Sequence, residues 1–189
     1  EQEEQKLNSL PDNAYRELKP GEVYKPIMPA NSKPREVTTY SVVFGIIMAI
    51  VFSAAAAYLG LKVGQVFEAA IPIAIIAVGC GNLMKKNNML GQNVIIQSIG
   101  ASSGVIVAGA IFTLPALYIL GLDAKFYQIF LSSLLGGLLG ILMLIPFRKY
   151  FVSDMHGKYP FPEATATTQV LISGCLLYTS PSPRDVEES

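Results

Sequence analysis

The chain has 189 residues, 51% of them hydrophobic and only 15% charged, with 14 basic and 14 acidic side chains and no net charge. Soluble domains carry about 25% charged residues, and a chain of this size cannot hide so much apolar sequence in one small core. The neutral balance leaves no basic footprint for nucleic acid, and Cys80 and Cys175 form neither a disulfide framework nor a metal spacing.

Nearly half of the charges precede Val37, and between Val37 and Phe147 the sole charged residues are Lys62, Glu68, Lys85, Lys86, Asp123 and Lys125. A lipid bilayer is the solvent that fits such a pattern. The expected fold class is all-α, a polytopic transmembrane helix bundle. It comprises about four full spans, a half-membrane polar segment and the start of a fifth span.

Residues 1–36 read as a solvated tail. They hold Pro11, Pro20, Pro26, Pro29 and Pro34 and no sustained apolar period, so disorder is expected over the first twenty residues. The transmembrane domain is expected over 37–174. Its first span, about 38–61, is uncharged and long enough to cross a hydrocarbon core. Gly45, Ala49, Ser53 and Ala57 recur every four residues there, a stripe that lets a neighbouring helix approach closely.

The second span is expected over 68–84. Glu68 and Pro72 fall in its first turns, where a carboxylate suits the helix dipole and Pro is tolerated, and Lys85 and Lys86 close it. The stretch from Asn87 to Leu122 is uncharged and too long for one ordinary span. Its first part, 91–103, is polar and small, and 104–122 is a normal apolar span. Either a half-membrane segment precedes one full span, or the chain crosses twice. A fourth span is expected over 126–147, with Gly136, Gly137 and Gly140 as a close-packing face and Arg148 and Lys149 as its anchor.

Loop charge chooses a single crossing for the third region. That choice gathers Lys33, Arg35, Lys85, Lys86, Arg148, Lys149 and Lys158 on one side and leaves Lys62 and Lys125 on the other. The positive-inside rule then makes the N-terminus cytoplasmic. Pro160, Pro162 and Glu163 mark a helix start, so 160–174 opens the fifth span. Beyond it, 175–189 breaks the style of the chain. The segment CLLYTSPSPRD resembles a translated library adapter, and the natural sequence is expected to end near Gly174.

Amides and hydroxyls at membrane depth need partners, and polar or broken segments often mark transport paths. Gln92, Asn93, Gln97, Ser98, Gly100, Ser102, Ser103 and Gly104 are therefore the candidate substrate path, with inter-helix hydrogen bonding the competing use. Glu163 is the candidate coupling carboxylate, with Pro160 and Pro162 as gating residues, against a plain helix-end role. Glu68 reads as an interfacial, dipole-matched group, and His156 with Asp154 as solvated loop residues. No phosphate loop, zinc-binding motif or nucleophile elbow is present, so neither an enzyme, a catalytic residue, a cofactor nor a bound metal is expected.

Two stretches, NVIIQSIGASSGVIVAGAIFTLPAL (Asn93 to Leu117) and KYPFPEATATTQVLISG (Lys158 to Gly174), resemble the oligopeptide transporter (OPT) family. YPFPEATA is the most specific part. The tail YKPIMPANSKPREVT (Tyr24 to Thr38) before a Gly/Ala-rich span fits as well. The resemblance implies secondary active, proton-coupled transport of small oligopeptides in the inner or plasma membrane, with lipid, substrate and protons as partners. It also admits metal–chelate, siderophore-like substrates. A non-transporting scaffold or channel is the rival reading, and the oligomeric state is left open. Members of that family are several times longer than this chain, which would then be an N-terminal fragment.

Overall fold

A computed structural model describes residues 10–28, 34–84 and 89–176. Lys33, Lys85 and Lys86, and the tail from residue 177, lie outside the described residues. Among the described residues every regular element is helical. These are α1 (Thr39–Val63), α2 (Ala70–Leu83), α3 (Leu90–Ile119), α4 (Phe126–Lys149), continued by a π-helical turn (Tyr150–Asp154), and α5 (Pro162–Leu176), with a short 3-10 turn at Asp12–Ala14.

Local chemistry sets the helix ends. Thr38 caps α1: its hydroxyl accepts from the Ser41 amide at 3.1 Å while the Ser41 hydroxyl accepts from the Thr38 amide at 2.9 Å, a reciprocal capping box. Gly64 ends α1 in the left-handed region, φ 74°, and donates to the Gly60 carbonyl at 2.9 Å, a conformation that favours glycine. Pro162 opens α5, where its missing N–H costs nothing, and Glu163 sits in the first turn.

Thr38 meets Gln92, Gly45 meets Ile99 and Gly60 meets Ile111, so α1 and α3 run parallel. Ala69 lies against Gly104, Ile73 against Gly100, and Met89 and Asn93 against Gly81, so α2 runs antiparallel to α3. α5 follows α2: Gly174 abuts Val78, its carbonyl accepts from Asn82 Nδ2 at 3.3 Å, and Asn93 Nδ2 donates to Cys175 Sγ at 3.2 Å. The core gathers Ala69, Ile73, Ala77 and Ile96 under Tyr40, Phe44, Met48, Phe52 and Phe67. A second cluster joins Ala74 and Val78 to Leu171.

Among the described residues three helices are long and apolar enough to cross a membrane: Thr39–Val63, Leu90–Ile119 and Phe126–Asp154. The second expected span is not among them. At 14 residues, α2 is about 21 Å long, short of the ~30 Å hydrocarbon core. The chain has no regular structure through Phe67 and Glu68, with Phe67 packed on Phe52 at a ring separation of 6.3 Å, and the helix begins only at Ala70.

The polar segment 91–103 is not a separate piece either. It is continuous with the following span in one 30-residue helix. Its serines need no break, because Ser98, Ser102 and Ser103 return their hydroxyls to the carbonyls of Val94, Ile99 and Gly100 in the preceding turn. The tail also departs from expectation. Of the twenty residues expected to be disordered, 1–9 lie outside the described residues, and 10–20 are placed, with 21–28, against the connection between α4 and α5.

Candidate functional site

α2 and α5 lie side by side and parallel against the first half of α3, so their N-terminal ends arrive together. Gly104, opposite Ala69, is 14 residues into the 30-residue α3. That level is about 21 Å along a helix of about 45 Å. A cavity of about 600 Å³ opens there, lined by Glu68 and Ala70 before and at the start of α2, Gln97 and Ala101 of α3, and Glu163, Ala164 and Thr167 of α5. A smaller adjoining space of about 350 Å³ is bounded by Glu68 and Glu163 again, with Ala101, Gly104 and Ala108.

Two carboxylates from different parts of the chain thus share both spaces. Each stands at the first turn of a helix, or just before it, where backbone N–H groups are unpaired and the dipole favours negative charge. The remaining lining is mostly apolar, Val94, Leu171 and Ile172 among it, with Thr168 a further polar residue. The chamber can therefore take a ligand with an apolar body and a cationic or hydrogen-bonding end.

The expected path residues separate into three groups. Gln97 lines the larger cavity, Gly104 the smaller one, and Ser102 a third space between α3 and α4. Gln92 and Asn93 instead serve helix contacts: the Gln92 side-chain oxygen accepts from the Thr38 hydroxyl at 3.4 Å, and Asn93, 1% exposed, is wedged between α2 and α5. Ser98 and Ser103 are tied to their own helix, and Gly100 admits Ile73, whose Cδ1 would lie 2.7 Å from an added Cβ. Of the coupling residues, Glu163 lines both small cavities, Pro162 starts α5, and Pro160 lies in the coil before it.

Glu68 is the residue that sequence reasoning placed wrongly in this arrangement. A signal for it was present, because the uncharged run from Ala69 to Met84 is shorter than the ~20 residues of a crossing. A short helix must begin inside the bundle, and it brings its leading carboxylate with it.

On α1, Gly45 is buried against α3, while Ala49, Ser53 and Ala57 are half-buried and contact passes to the buried Ala56 and Gly60. At 3.6 residues per turn a four-residue stripe drifts by about 40° per step, so it leaves the contact face before Ala57. On α4, an added Cβ at Gly136, Gly137 or Gly140 meets nothing within 4 Å. These glycines face α3 across an open groove of about 1120 Å³ and do not form the expected close contact.

These features define a class: a multi-pass helical membrane protein in which two short helices end on an acidic chamber halfway along a longer one. The profile of the family described as "OPT oligopeptide transporter protein" matches residues 36–174. The chain belongs to that family, as the two motif stretches imply. A protein of Haemophilus influenzae whose name is "Putative oligopeptide transporter" is 36% identical over 119 residues, which cover 62% of this chain and 18% of that relative. The chain thus spans less than a fifth of the length of the relative it matches. No solved structure matches.

Proposed function

We propose that this chain supplies the first helices of a proton-coupled transporter of small oligopeptides, and that Glu68 and Glu163 bind the proton and the substrate's amino terminus in turn. The observation that carries the reading is the shared chamber, lined by Glu68 just before α2, Glu163 in the first turn of α5 and Gln97 of α3. Two negative charges facing one space repel each other. A proton on one carboxylate relieves that repulsion, and so does the ammonium group of a peptide. Gln97 offers both a donor and an acceptor to a peptide bond.

The level of the chamber supports transport. Halfway along a helix longer than the hydrocarbon core is near the bilayer midplane, where transporters place sites between the ends of discontinuous helices. The basic residues Arg35, Arg148, Lys149 and Lys158 belong to the tail, the last turn of α4 and the connection after it, which favours a plasma membrane orientation with the N-terminus cytoplasmic. The Haemophilus relative's name agrees with oligopeptides as cargo.

The test uses the complete protein in proteoliposomes with a trapped pH dye. A dipeptide added outside should drive proton movement together with its own uptake. Glu163→Gln should cut peptide-driven proton flux at least tenfold while leaving the protein folded, and Glu68→Gln should raise the KM for a peptide with a free amino terminus more than for an N-acetylated one. Full proton-coupled uptake in the Glu68→Gln, Glu163→Gln double variant would remove the chamber from the mechanism.

A further inference from the structure

We propose that residues 10–28 form a strap that closes one side of the Glu68–Glu163 chamber and must come away for that side to open. The strap is shaped by its own contacts. The Asp12–Ala14 turn starts it, and Arg16 pairs with Glu22 through two bonds of 2.9 and 2.8 Å. The Lys19 amide donates to the same carboxylate at 3.1 Å.

It is held at three points. His156 Nε2 lies 2.9 Å from the Asn13 carbonyl, and Gln169 Nε2 donates to the Tyr15 hydroxyl at 2.8 Å. The Tyr24 ring rests 5.3 Å from the His156 imidazole. Gly157 sits beneath the strap, where a Cβ would overlap the Arg16 backbone. Leu10, Tyr24, Ile27 and Met28 then complete the wall of the 600 Å³ cavity.

The arrangement explains why a proline-rich, charged segment is held in one place. Leu10, Ile27 and Met28 face the chamber, and Asn13 and Tyr15 hold the connection that leads into α5 and α5 itself. The anchors are few and partly solvent-exposed, the kind of contact that opens locally without unfolding the rest. Because His156 precedes α5 directly and Gln169 lies on it, release of the strap frees the element whose first turn carries Glu163. The proposal rests on reading that chamber as the substrate path.

Two experiments on the complete protein, with Cys80 and Cys175 replaced by Ser, test it. In the first, Tyr24→Cys and His156→Cys are joined by a short reducible bis-methanethiosulfonate linker. Linkage should form in the majority of molecules and lower peptide uptake at least tenfold, and reductant should restore it. In the second, Ala101→Cys reports access to the chamber. Deleting residues 10–28 should speed its reaction with a polar maleimide at least tenfold. Either full uptake by the linked protein or unchanged maleimide reactivity after deletion would overturn the proposal; because the two substitutions themselves remove the Tyr24–His156 and His156–Asn13 contacts, the deletion experiment decides if no linkage forms. If the deletion variant does not fold, the linked and reduced forms of one preparation still decide. Faster labelling in a protein that moves no peptide under any condition would leave the strap standing and sink the transport reading alone.

Discussion

Gly100 on α3 and Gly137 on α4 sit in similar stretches of small and aliphatic residues, yet a Cβ at Gly100 would lie 2.7 Å from Ile73 while one at Gly137 would meet nothing within 4 Å. The contrast extends along both helices. α3 buries Gly91, Asn93, Ile96, Gly100 and Gly104, whereas no residue of α4 is buried. Apolarity puts both helices in lipid. It does not say which face meets protein, because lipid tails and aliphatic side chains are equally apolar and close packing alone distinguishes them.

The comparison is broken most forcefully at isoleucine. Ile73→Ala removes a fully buried side chain from the α2–α3 contact and should cost about 2–5 kcal/mol. Ile141→Ala on α4, where the residue is 60% exposed, should cost under about 1 kcal/mol. Unfolding in mixed micelles measures both, and equal losses would erase the distinction between the helices. Gly100→Leu comes next. Ile73 must shift to admit the new side chain, and overpacking costs about 1–3 kcal/mol. Gly137→Leu should stay within about 0.5 kcal/mol. A loss at Gly137 matching that at Gly100 would show that another helix of the complete protein fills the groove beside α4.

Much of the helical plan was legible because it follows from charge and length. The start of α1 is written in Thr38 and Ser41, and α4 begins at Phe126 where the sequence expects it. The polarity of 91–103 suggested a separate piece, and one continuous helix resulted, because a serine hydroxyl can be satisfied one turn back without disturbing the helix. The chamber was only half legible. Glu163 carried its signal in the Pro-Phe-Pro-Glu start, whereas Glu68 reaches the same space because α2 and α5 run parallel, a relation between residues nearly a hundred positions apart that no local pattern contains. The described tail misled for a similar reason: its three prolines, Pro11, Pro20 and Pro26, argue against a helix, but they do not argue against a non-helical strap held by His156 and Gln169.

A smaller effect tests the α1–α3 side of the comparison. Thr38→Ala removes the acceptor for the Ser41 amide and the bond to Gln92, and loss of an N-cap costs about 1 kcal/mol. Thr38→Ser keeps both hydroxyl functions and should recover most of the stability. If Thr38→Ala has no effect, the register of α1 on α3 is set wholly by the packing of Gly45 and Gly60.

The smallest effect is expected in the strap, whose polar fastening differs in kind from the packed helices. Arg16, with the Lys19 amide, holds the Glu22 carboxyl down to about 2 from its ordinary 4.5. A depressed carboxylate contributes its full stabilisation above the ordinary value and loses it as the pH falls through the lowered one. The Arg16–Glu22 clasp should therefore be constant from pH 5 to 8 and weaken only in strong acid. Because the pair is exposed, Glu22→Gln should shift the linkage yield of the Tyr24→Cys, His156→Cys pair only slightly. Thiolate supply changes with pH in both forms alike, so the ratio of linkage yields with Glu22 and with Glu22→Gln, measured side by side, should be flat from pH 5 to 8. A ratio that changes within that window would mean that Arg16 does not hold the Glu22 carboxyl down.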